Sequence, residues 1–368
     1  MEKKALYLKY RPKKISDIVG QKNFKKTMVE SARIGKFSHA YLFCGEKGTG
    51  KTSSARIVAN LMTCENISDG NVCGSCTSCE RVVSSSSVDV IEVDGAKERK
   101  VEDINSLLED ASWAPNELSR KVIIIDEAHQ LSSTAISSLL KIVEEPPEYL
   151  VFIFCTTELE KIPDTILSRS QKYIFKKIPI REISLRLKNI SEEESINIEE
   201  KAIYGLSKMS RGSMREAIGY LEQVAIVANG RLITESVINK YFGAISSRGV
   251  YEIVTSMVEG NYSKVIDHCN DMVSGSVNIK DIFYEISEVF RNVMLFKIQG
   301  GGSRHIDLPD HELSAVSGIS DLVSMSKISA LSNEFSTIDK DLSYGINKRF
   351  VLESTLINCA YKLSNKKD

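Results

Sequence analysis

The spacing of apolar residues changes along the chain and divides it into regions. In the first region, short continuous apolar runs alternate with stretches whose apolar residues recur every three or four positions. Continuous runs are typical of buried parallel strands, and the longer period is typical of amphipathic helices. Residues 1–178 are therefore predicted to form a parallel sheet with helices on both faces. The strand-like runs are 40–44, 88–93, 121–125, 150–155 and a shorter one near 172–175; the helical patterns include 101–110 and 133–143.

The strand pattern ends near residue 178, and helical spacing takes over. Four predicted helices with short connections form a small helical lid over 179–242. From 243 to 368 the pattern stays helical, which predicts a third, all-helical domain. Its helices are apolar enough to need partners and carry no chemistry, so we expect an oligomerisation collar. The lid helices are 181–193, 199–209, 213–228 and 235–242, and those of the third domain include 250–258, 262–272, 279–298 and 348–363.

A complete G-x-x-x-x-G-K-[ST] phosphate loop follows the first strand-like run and precedes a helical pattern that begins near Ser53. In that context backbone N–H groups of the loop wrap phosphates, and the helix N-terminus adds partial positive charge. Lys51 can neutralise the β- and γ-phosphates, and the Thr52 hydroxyl can ligate Mg²⁺. A glycine-rich turn without a ligand is the alternative, but correct flanks on both sides favour a nucleoside triphosphate site. The loop residues are Gly45, Glu46, Lys47, Gly48, Thr49, Gly50, Lys51 and Thr52.

An acidic pair follows the apolar run 121–125, about 75 residues after the phosphate loop. At the carboxyl end of a strand, Asp126 can hold Mg²⁺ through water, and Glu127 can orient the water that attacks the γ-phosphate. An acidic pair alone is more often a solvated turn. Downstream of a phosphate loop it becomes a Walker B element, and the predicted chemistry is hydrolysis of ATP.

Four of the eight cysteines cluster with the spacing C-x8-C-x2-C-x2-C. Two overlapping C-x2-C steps and a fourth thiol make the set of four sulfurs that Zn²⁺ prefers. No coordination position stays open, so we expect a structural zinc; four free thiols are the alternative. The clustered residues are Cys64, Cys73, Cys76 and Cys79, and the remaining Cys44, Cys155, Cys269 and Cys359 are expected to be ordinary buried thiols.

Composition limits the possible partners and the compartment. The 368 residues carry a net charge of −1 with a pI near 6.6, so any contact with DNA must come from local patches or from several subunits together. The first residues lack the apolar core of a signal peptide, and no apolar run reaches the ~18 residues of a membrane span. A soluble cytoplasmic protein with reduced cysteines is expected.

Phosphate loop, Walker B pair and inserted cysteines, in this order, resemble the bacterial DNA polymerase III gamma/tau family, the ATPase subunits of the sliding-clamp loader. The likeness extends along essentially the whole chain. Tyr10-Arg11-Pro12 and Asp17-Ile18-Val19-Gly20-Gln21 are similar to the opening box of that family, which packs around adenine, so the resemblance implies adenine contacts for Tyr10, Arg11 and Val19. Further matching blocks are Ser38-His39-Ala40-Tyr41-Leu42-Phe43, Leu139-Leu140-Lys141 and Glu144-Glu145-Pro146-Pro147-Glu148.

The resemblance also implies roles for side chains outside the loop. Thr156 and Thr157 fall on the sensor 1 region, where a threonine contacts the γ-phosphate or the attacking water. Arg215, in Gly212-Ser213-Met214-Arg215-Glu216-Ala217, falls on sensor 2 and faces the phosphates of its own site. Arg169 falls on the arginine finger that enters the ATP site of the neighbouring subunit, although alone it would read as a surface salt-bridge residue. The family usually has cysteine where this chain has Ser170, and we expect activation in trans to survive that change.

The implied fold is an AAA+ P-loop ATPase domain over 1–178 with a zinc module at about 62–82, a helical lid over 179–242 and a helical collar over 243–368. The implied cofactors are ATP, Mg²⁺ and structural Zn²⁺. The implied partners are delta, delta-prime and further copies of the chain in a hetero-oligomeric ring, the sliding clamp, and primed DNA held through its backbone, with no membrane. Such a subunit drives clamp loading within the DNA polymerase III holoenzyme and forms no phosphodiester bonds itself.

Two other classes share this core. A structural loader subunit similar to delta-prime does not hydrolyse ATP, but those relatives lose the phosphate loop that is intact here. A branch-migration motor or other recombination ATPase is disfavoured by the zinc insertion and the helical third domain.

Lys97, Arg99 and Lys100 either contact the DNA backbone or form a solvated loop, with equal support. Longer members of the family continue past the third domain, whereas this sequence stops at Asp368.

Overall fold

The computed structural model describes residues 5–97, 101–242, 247–274, 278–299, 306, 308–331, 334–335, 338 and 347–364. The chain divides into two compact units, Met1–Leu232 and Ile233–Asp368. This division falls before the predicted boundary at 242, because the helix Glu235–Phe242 belongs to the second unit and not to the unit that contains the rest of the lid. The assignment of three domains stays a prediction.

Five parallel strands form one sheet in the order β2-β3-β4-β1-β5. Strand β4 pairs with β3 on one side and with β1 on the other. The carboxyl ends of β1, β3 and β4 therefore meet at one edge of the sheet, which is where ligands bind in open α/β sheets. The strands are β1 (Ala40–Gly45), β2 (Val90–Asp94), β3 (Lys121–Asp126), β4 (Leu150–Thr156) and β5 (Gln171–Phe175).

Helices cover both faces of this sheet, so the predicted α/β fold class is confirmed. On one face, Tyr41 and Phe43 of β1 pack with Phe24 and Met28 of α2. On the other face, Leu42 packs in a separate apolar cluster with the helices that follow β2 and β3. The helices up to β5 are α1 (Leu6–Lys9), α2 (Lys22–Ile34), α3 (Lys51–Thr63), α4 (Thr77–Ser84), α5 (Val101–Ser112), α6 (Ser133–Glu144) and α7 (Asp164–Arg169).

Three helices follow β5 and complete the first unit. They are α8 (Ile180–Glu193), α9 (Glu200–Met209) and α10 (Met214–Ala228). Each packs against the other two. Leu187, Leu206 and Leu221, one from each helix, are fully buried. The helical periodicity of this region is therefore the signature of a three-helix layer that supplies its own small core.

The second unit is helical throughout its described residues. Its core is built around α12, whose Ile253, Val254 and Met257 are fully buried. Across the described parts of both units, no helix combines the length and the apolarity needed to cross a membrane. The helices of this unit are α11 (Glu235–Phe242), α12 (Ser247–Glu259), α13 (Tyr262–Ser274), α14 (Ile279–Gln299), α15 (Asp310–Leu322), α16 (Met325–Ala330) and α17 (Lys348–Ser364).

A buried carboxylate sets the start of β2 and β3. Asp89 is fully buried and accepts three backbone N–H bonds, from Asn116, Glu117 and Leu118, at 2.7–2.9 Å. Its own carbonyl accepts the N–H of Val122 at 2.8 Å. One residue thus binds the loop that enters β3 and aligns that strand with β2, and β3 carries the predicted Walker B pair at its other end.

Substitution Asp89→Ala is expected to lower the free energy of unfolding by about 3 kcal/mol, because it leaves buried N–H groups without an acceptor. Urea titration followed by circular dichroism measures the change. The control is Asp110→Ala, which removes an exposed carboxylate from α5. Equal urea midpoints for the two variants would contradict the structural role of Asp89.

Candidate functional site

The phosphate loop connects β1 to α3 and touches the start of a lid helix. Gly50, the residue just before α3, has φ +101°, a backbone conformation that L side chains rarely adopt. Gly48 has φ +75°, and its carbonyl accepts the N–H of Met214 at 3.0 Å. A Cβ at Gly48 would lie 1.9 Å from the hydroxyl oxygen of Ser213. Glycine is therefore required here both for the turn and for close approach of the lid.

Lys51 lies inside the curve of the loop with its side chain largely buried. Its Nζ donates to the carbonyl oxygens of Gly45 at 2.8 Å and Glu46 at 2.9 Å. Burial lowers the pKa of Lys51, and the negative charges of Asp126 and Glu127 act in the opposite direction. A cation taken out of water and held on two carbonyls is ready to exchange them for an anion.

The second element of the site meets the first through a single side-chain contact. The hydroxyl of Thr52, in the first turn of α3, donates to Asp126 Oδ2 at 2.6 Å. The other oxygen of Asp126 accepts the backbone N–H of Glu127 at 3.0 Å. Hydroxyl and carboxylate oxygens at this spacing are the ligand chemistry that Mg²⁺ prefers, so this pair fits a magnesium ion.

Glu127 follows Asp126 in the left-handed region, at φ +48°. Its Oε1 lies 4.0 Å from Nζ of Lys47. Its Oε2 is buried without a hydrogen-bond partner among the described residues, and the nearest basic nitrogen is Nδ1 of His129 at 3.6 Å. A buried oxygen of this kind is costly to leave unpaired, which is typical of a group that acts on a ligand.

Thr156 is the last residue of β4 and Thr157 follows it, and β4 lies between the strands that carry the phosphate loop and the acidic pair. Thr156 is fully buried, and its hydroxyl accepts the N–H of Glu158 at 3.0 Å and lies 3.1 Å from Nδ1 of His129. Thr157 is partly exposed. His129 and Glu158, which carry no role in the predicted site, lie beside it in the structure. The only signal for His129 in the sequence is its place two positions after the acidic pair.

Both predicted arginines of this site lie near the N-terminal segment. Arg11 donates through Nε to the hydroxyl of Ser53 at 3.1 Å. Burial lowers the pKa of Arg11, and the neighbouring charge of Arg56 adds to that shift. Arg215, on α10, has its guanidinium carbon 5.1 Å from the ring centre of Tyr7, which is cation–π distance.

The residues assigned to adenine lie where the N-terminal segment meets the lid. Tyr10 donates its hydroxyl to Oε1 of Glu194, at the end of α8, at 2.6 Å. Burial, together with that hydrogen bond to a carboxylate, raises the pKa of Tyr10. Val19 is partly buried and precedes Gly20. The hydroxyl of Tyr10 thus serves the contact with the lid, and its ring lies within cation–π distance of Lys9 and Arg186.

Arg169 ends α7 with its guanidinium partly exposed. It pairs with Oε1 of Glu144 at 3.1 Å and donates to the carbonyl of Thr165 at 3.2 Å. Glu144 is the last residue of α6. Of the predicted basic stretch, Lys97 pairs with Asp94 at 3.6 Å, whereas Arg99 and Lys100 lie outside the described residues.

The four clustered cysteines meet around one point. Their sulfur atoms all lie within 4.8 Å of one another, with Cys64 to Cys73 at 3.7 Å, Cys79 to Cys64 at 3.6 Å and Cys73 to Cys79 at 3.9 Å. Tetrahedral zinc with Zn–S bonds of 2.3 Å needs sulfurs about 3.8 Å apart. Backbone N–H groups of Ser75 and Cys76 lower the pKa of Cys73 to about 6, which favours its thiolate. The cluster is compatible with zinc.

The class of the protein follows from four features: a parallel sheet, a phosphate loop after β1, an acidic pair after β3 with β4 between those strands, and a lid helix on the loop. Together they define the chain as a P-loop protein with the AAA+ fold. A RuvB variant from Thermotoga maritima has the same fold, at 21% identity and TM-score 0.50 over 68% of this chain and 80% of that one. Three family models match in succession: "DNA polymerase III, delta subunit" over 20–179, "DNA polymerase III clamp loader subunit, ATPase lid domain" over 182–230 and "DNA polymerase III subunits gamma and tau domain III" over 233–368.

Curated relatives narrow the class to one family. The gamma subunit of DNA polymerase III from Buchnera aphidicola is 36% identical over 79% of this chain and 78% of its own length. The tau subunits of Bacillus subtilis and Escherichia coli are 36% and 30% identical over 82% and 97% of this chain. The chain belongs to the DNA polymerase III subunit gamma/tau family. It spans 53% and 55% of those two tau subunits, about half of their length.

Proposed function

We propose that this chain is an ATPase subunit of the bacterial sliding-clamp loader. ATP binding closes a ring of subunits that opens the clamp and grips primed DNA, and hydrolysis releases the clamp around the DNA. The observation that carries the proposal is the 2.6 Å contact between Thr52 and Asp126, because it joins the phosphate loop to the acidic pair in one site. Membership of the gamma/tau family supports the role in clamp loading.

The loop and the acidic pair divide the chemistry. Backbone N–H groups of the loop and the ammonium of Lys51 bind the phosphates, for which Lys51 leaves the carbonyls of Gly45 and Glu46. Thr52 and Asp126 would hold Mg²⁺, and the ion would supply positive charge to the phosphate oxygens. The buried oxygen of Glu127, which has no hydrogen-bond partner among the described residues, accepts a hydrogen from water and orients it for attack.

The lid reports on the nucleotide through two contacts with the loop. Gly48 touches Ser213 and Met214 at the start of α10, and Lys177, in the segment between β5 and α8 that leads into the lid, pairs with Glu46 at 3.1 Å. A phosphate that widens the loop pushes on both contacts. Arg215 then leaves the ring of Tyr7 for the phosphates, so that lid position depends on nucleotide state.

Substitution Lys51→Ala is expected to weaken ATP binding at least a hundredfold, and Glu127→Gln is expected to keep binding while turnover falls at least a hundredfold. The reason is that Lys51 binds the phosphates, whereas Glu127 acts only on water. Binding of a fluorescent ATP analogue and release of phosphate measure the two effects, with clamp, primed DNA and the other loader subunits present and absent.

Controls for these variants are Lys36→Ala and Glu160→Gln, which change exposed residues of like charge. Tight ATP binding by the Lys51 variant would refute the site. A wild-type chain that binds ATP without turnover, with or without clamp, primed DNA and the other subunits, would instead match a structural subunit similar to delta-prime. Turnover stimulated by branched DNA and not by the clamp would match a recombination motor.

We further propose that the cysteine cluster binds one structural zinc. Substitution Cys79→Ser should lower zinc content from about one per chain to near zero and lower the melting temperature by several degrees, since the metal fixes the segment between α3 and β2. Elemental analysis and thermal unfolding measure both quantities. Cys359→Ser, a buried cysteine of α17, is the control for zinc content. Iron–sulfur absorbance, or no metal in fresh protein, would contradict the proposal.

Arg169 is proposed to act on the ATP of a neighbouring subunit. Its partial exposure and its salt bridge with Glu144 leave it able to exchange that carboxylate for a phosphate of another chain. Arg169→Ala should then reduce clamp- and DNA-stimulated turnover of the assembled loader at least tenfold while ATP binding changes less than twofold. Arg169→Lys, which keeps the charge and loses the planar fork, should recover only part. An equal loss in the unassembled chain would indicate a role in its own site.

A further inference from the structure

A buried histidine connects the predicted Walker B glutamate to the end of strand β4. The His129 side chain is 6% exposed and lies in the short helical turn Ala128–Gln130. Its Nε2 is 3.1 Å from Oε1 of Glu158, and its Nδ1 is 3.1 Å from Oγ1 of Thr156. The same Nδ1 is 3.6 Å from the buried Oε2 of Glu127.

The proton on this imidazole can be assigned in part from its neighbours. Lys161 bonds to Oε2 of Glu158 at 2.8 Å and lowers the pKa of that carboxyl, which keeps Glu158 ionised. An ionised carboxylate only accepts hydrogen bonds, so Nε2 of His129 is protonated and its N–H donates a hydrogen bond to Glu158. The ring is then fixed from one side, and Nδ1 is held at a set distance from both Thr156 and Glu127.

Thr156 and Glu127 both lie close to Nδ1 of His129. Thr156 lies within hydrogen-bond distance of it, and Glu127 lies about half an ångström beyond. Thr156 ends β4 and Glu158 lies two residues beyond it, so a shift of that strand end would move both partners of His129 and change the space open to the Glu127 carboxylate. The backbone N–H of Glu158 also bonds to Thr156, which makes the two residues move as one unit.

We infer that His129 is a positioning residue for Glu127, set by Glu158 and Thr156. It limits where the Glu127 carboxylate can turn and so fixes the oxygen that accepts from water. The inference rests on the proposed function, since it assigns Glu127 to hydrolysis. A histidine that served only to fill the core would matter for stability and not for this carboxylate.

The test is single-turnover hydrolysis of ATP by the assembled loader containing His129→Ala, His129→Asn or the control His39→Ala. A displaced catalytic group costs up to about a hundredfold in rate, so His129→Ala should slow hydrolysis tenfold to a hundredfold. The affinity for ATP should change less than twofold. His129→Asn, whose amide occupies the position of Nδ1, should recover most of the loss. His39→Ala should match wild type, since His39 precedes β1 and lies at the opposite end of that strand from the phosphate loop.

A double-mutant cycle separates positioning from a purely structural role. In a chain that already carries Glu127→Gln, His129→Ala should cause little further loss, because its effect passes through Glu127. Three results would each overturn the inference. They are equal losses of rate in both backgrounds, unchanged hydrolysis by His129→Ala, and a loss of rate accompanied by matching losses of ATP affinity and of melting temperature. Absence of hydrolysis by the wild-type loader would refute the proposed function instead.

Discussion

Strand β4 holds the site together because it pairs with both strands that carry the site. Its register sets Thr156 opposite Cys44, just before the phosphate loop, and Phe154 opposite Ile125, just before Asp126. The loop and the acidic pair therefore approach each other across the end of β4, where Thr52 reaches Asp126. Side chains alternate along a strand, so a slip of one residue would exchange the two faces of the strand and separate Thr52 from Asp126.

Much of this arrangement could be predicted from local pattern. Buried strands of a parallel sheet are apolar on both faces, so the runs at β1, β3 and β4 are nearly continuous in the sequence. The phosphate loop and the cysteine spacing are set by short-range geometry, and they too are visible in the sequence. Strand β2 begins at Val90, two residues later than its predicted run, and the buried carboxylate of Asp89 just before it bonds to the loop that enters β3.

Contacts between distant side chains could not be predicted in the same way. Nothing in the periodicity of the N-terminal segment indicates that Tyr10 bonds to Glu194, or that Tyr7 lies against Arg215. The contacts of His129 with Glu158 depend on the register of two separate strands. The unit to which α11 belongs is not visible in the sequence for a related reason: helical spacing identifies this helix but does not indicate which core it joins.

Gly48 and Ser213 meet so closely that no side chain could stand between loop and lid. Two sites in such contact obey thermodynamic linkage. If nucleotide binding shifts the lid to a new position, then holding the lid in that position raises the affinity for nucleotide by the same free energy. Neighbours that pull on α10 would thereby tune ATP release without touching the phosphates. Gly48, which looks like a simple turn residue in the sequence, thus transmits the coupling between loop and lid in both directions.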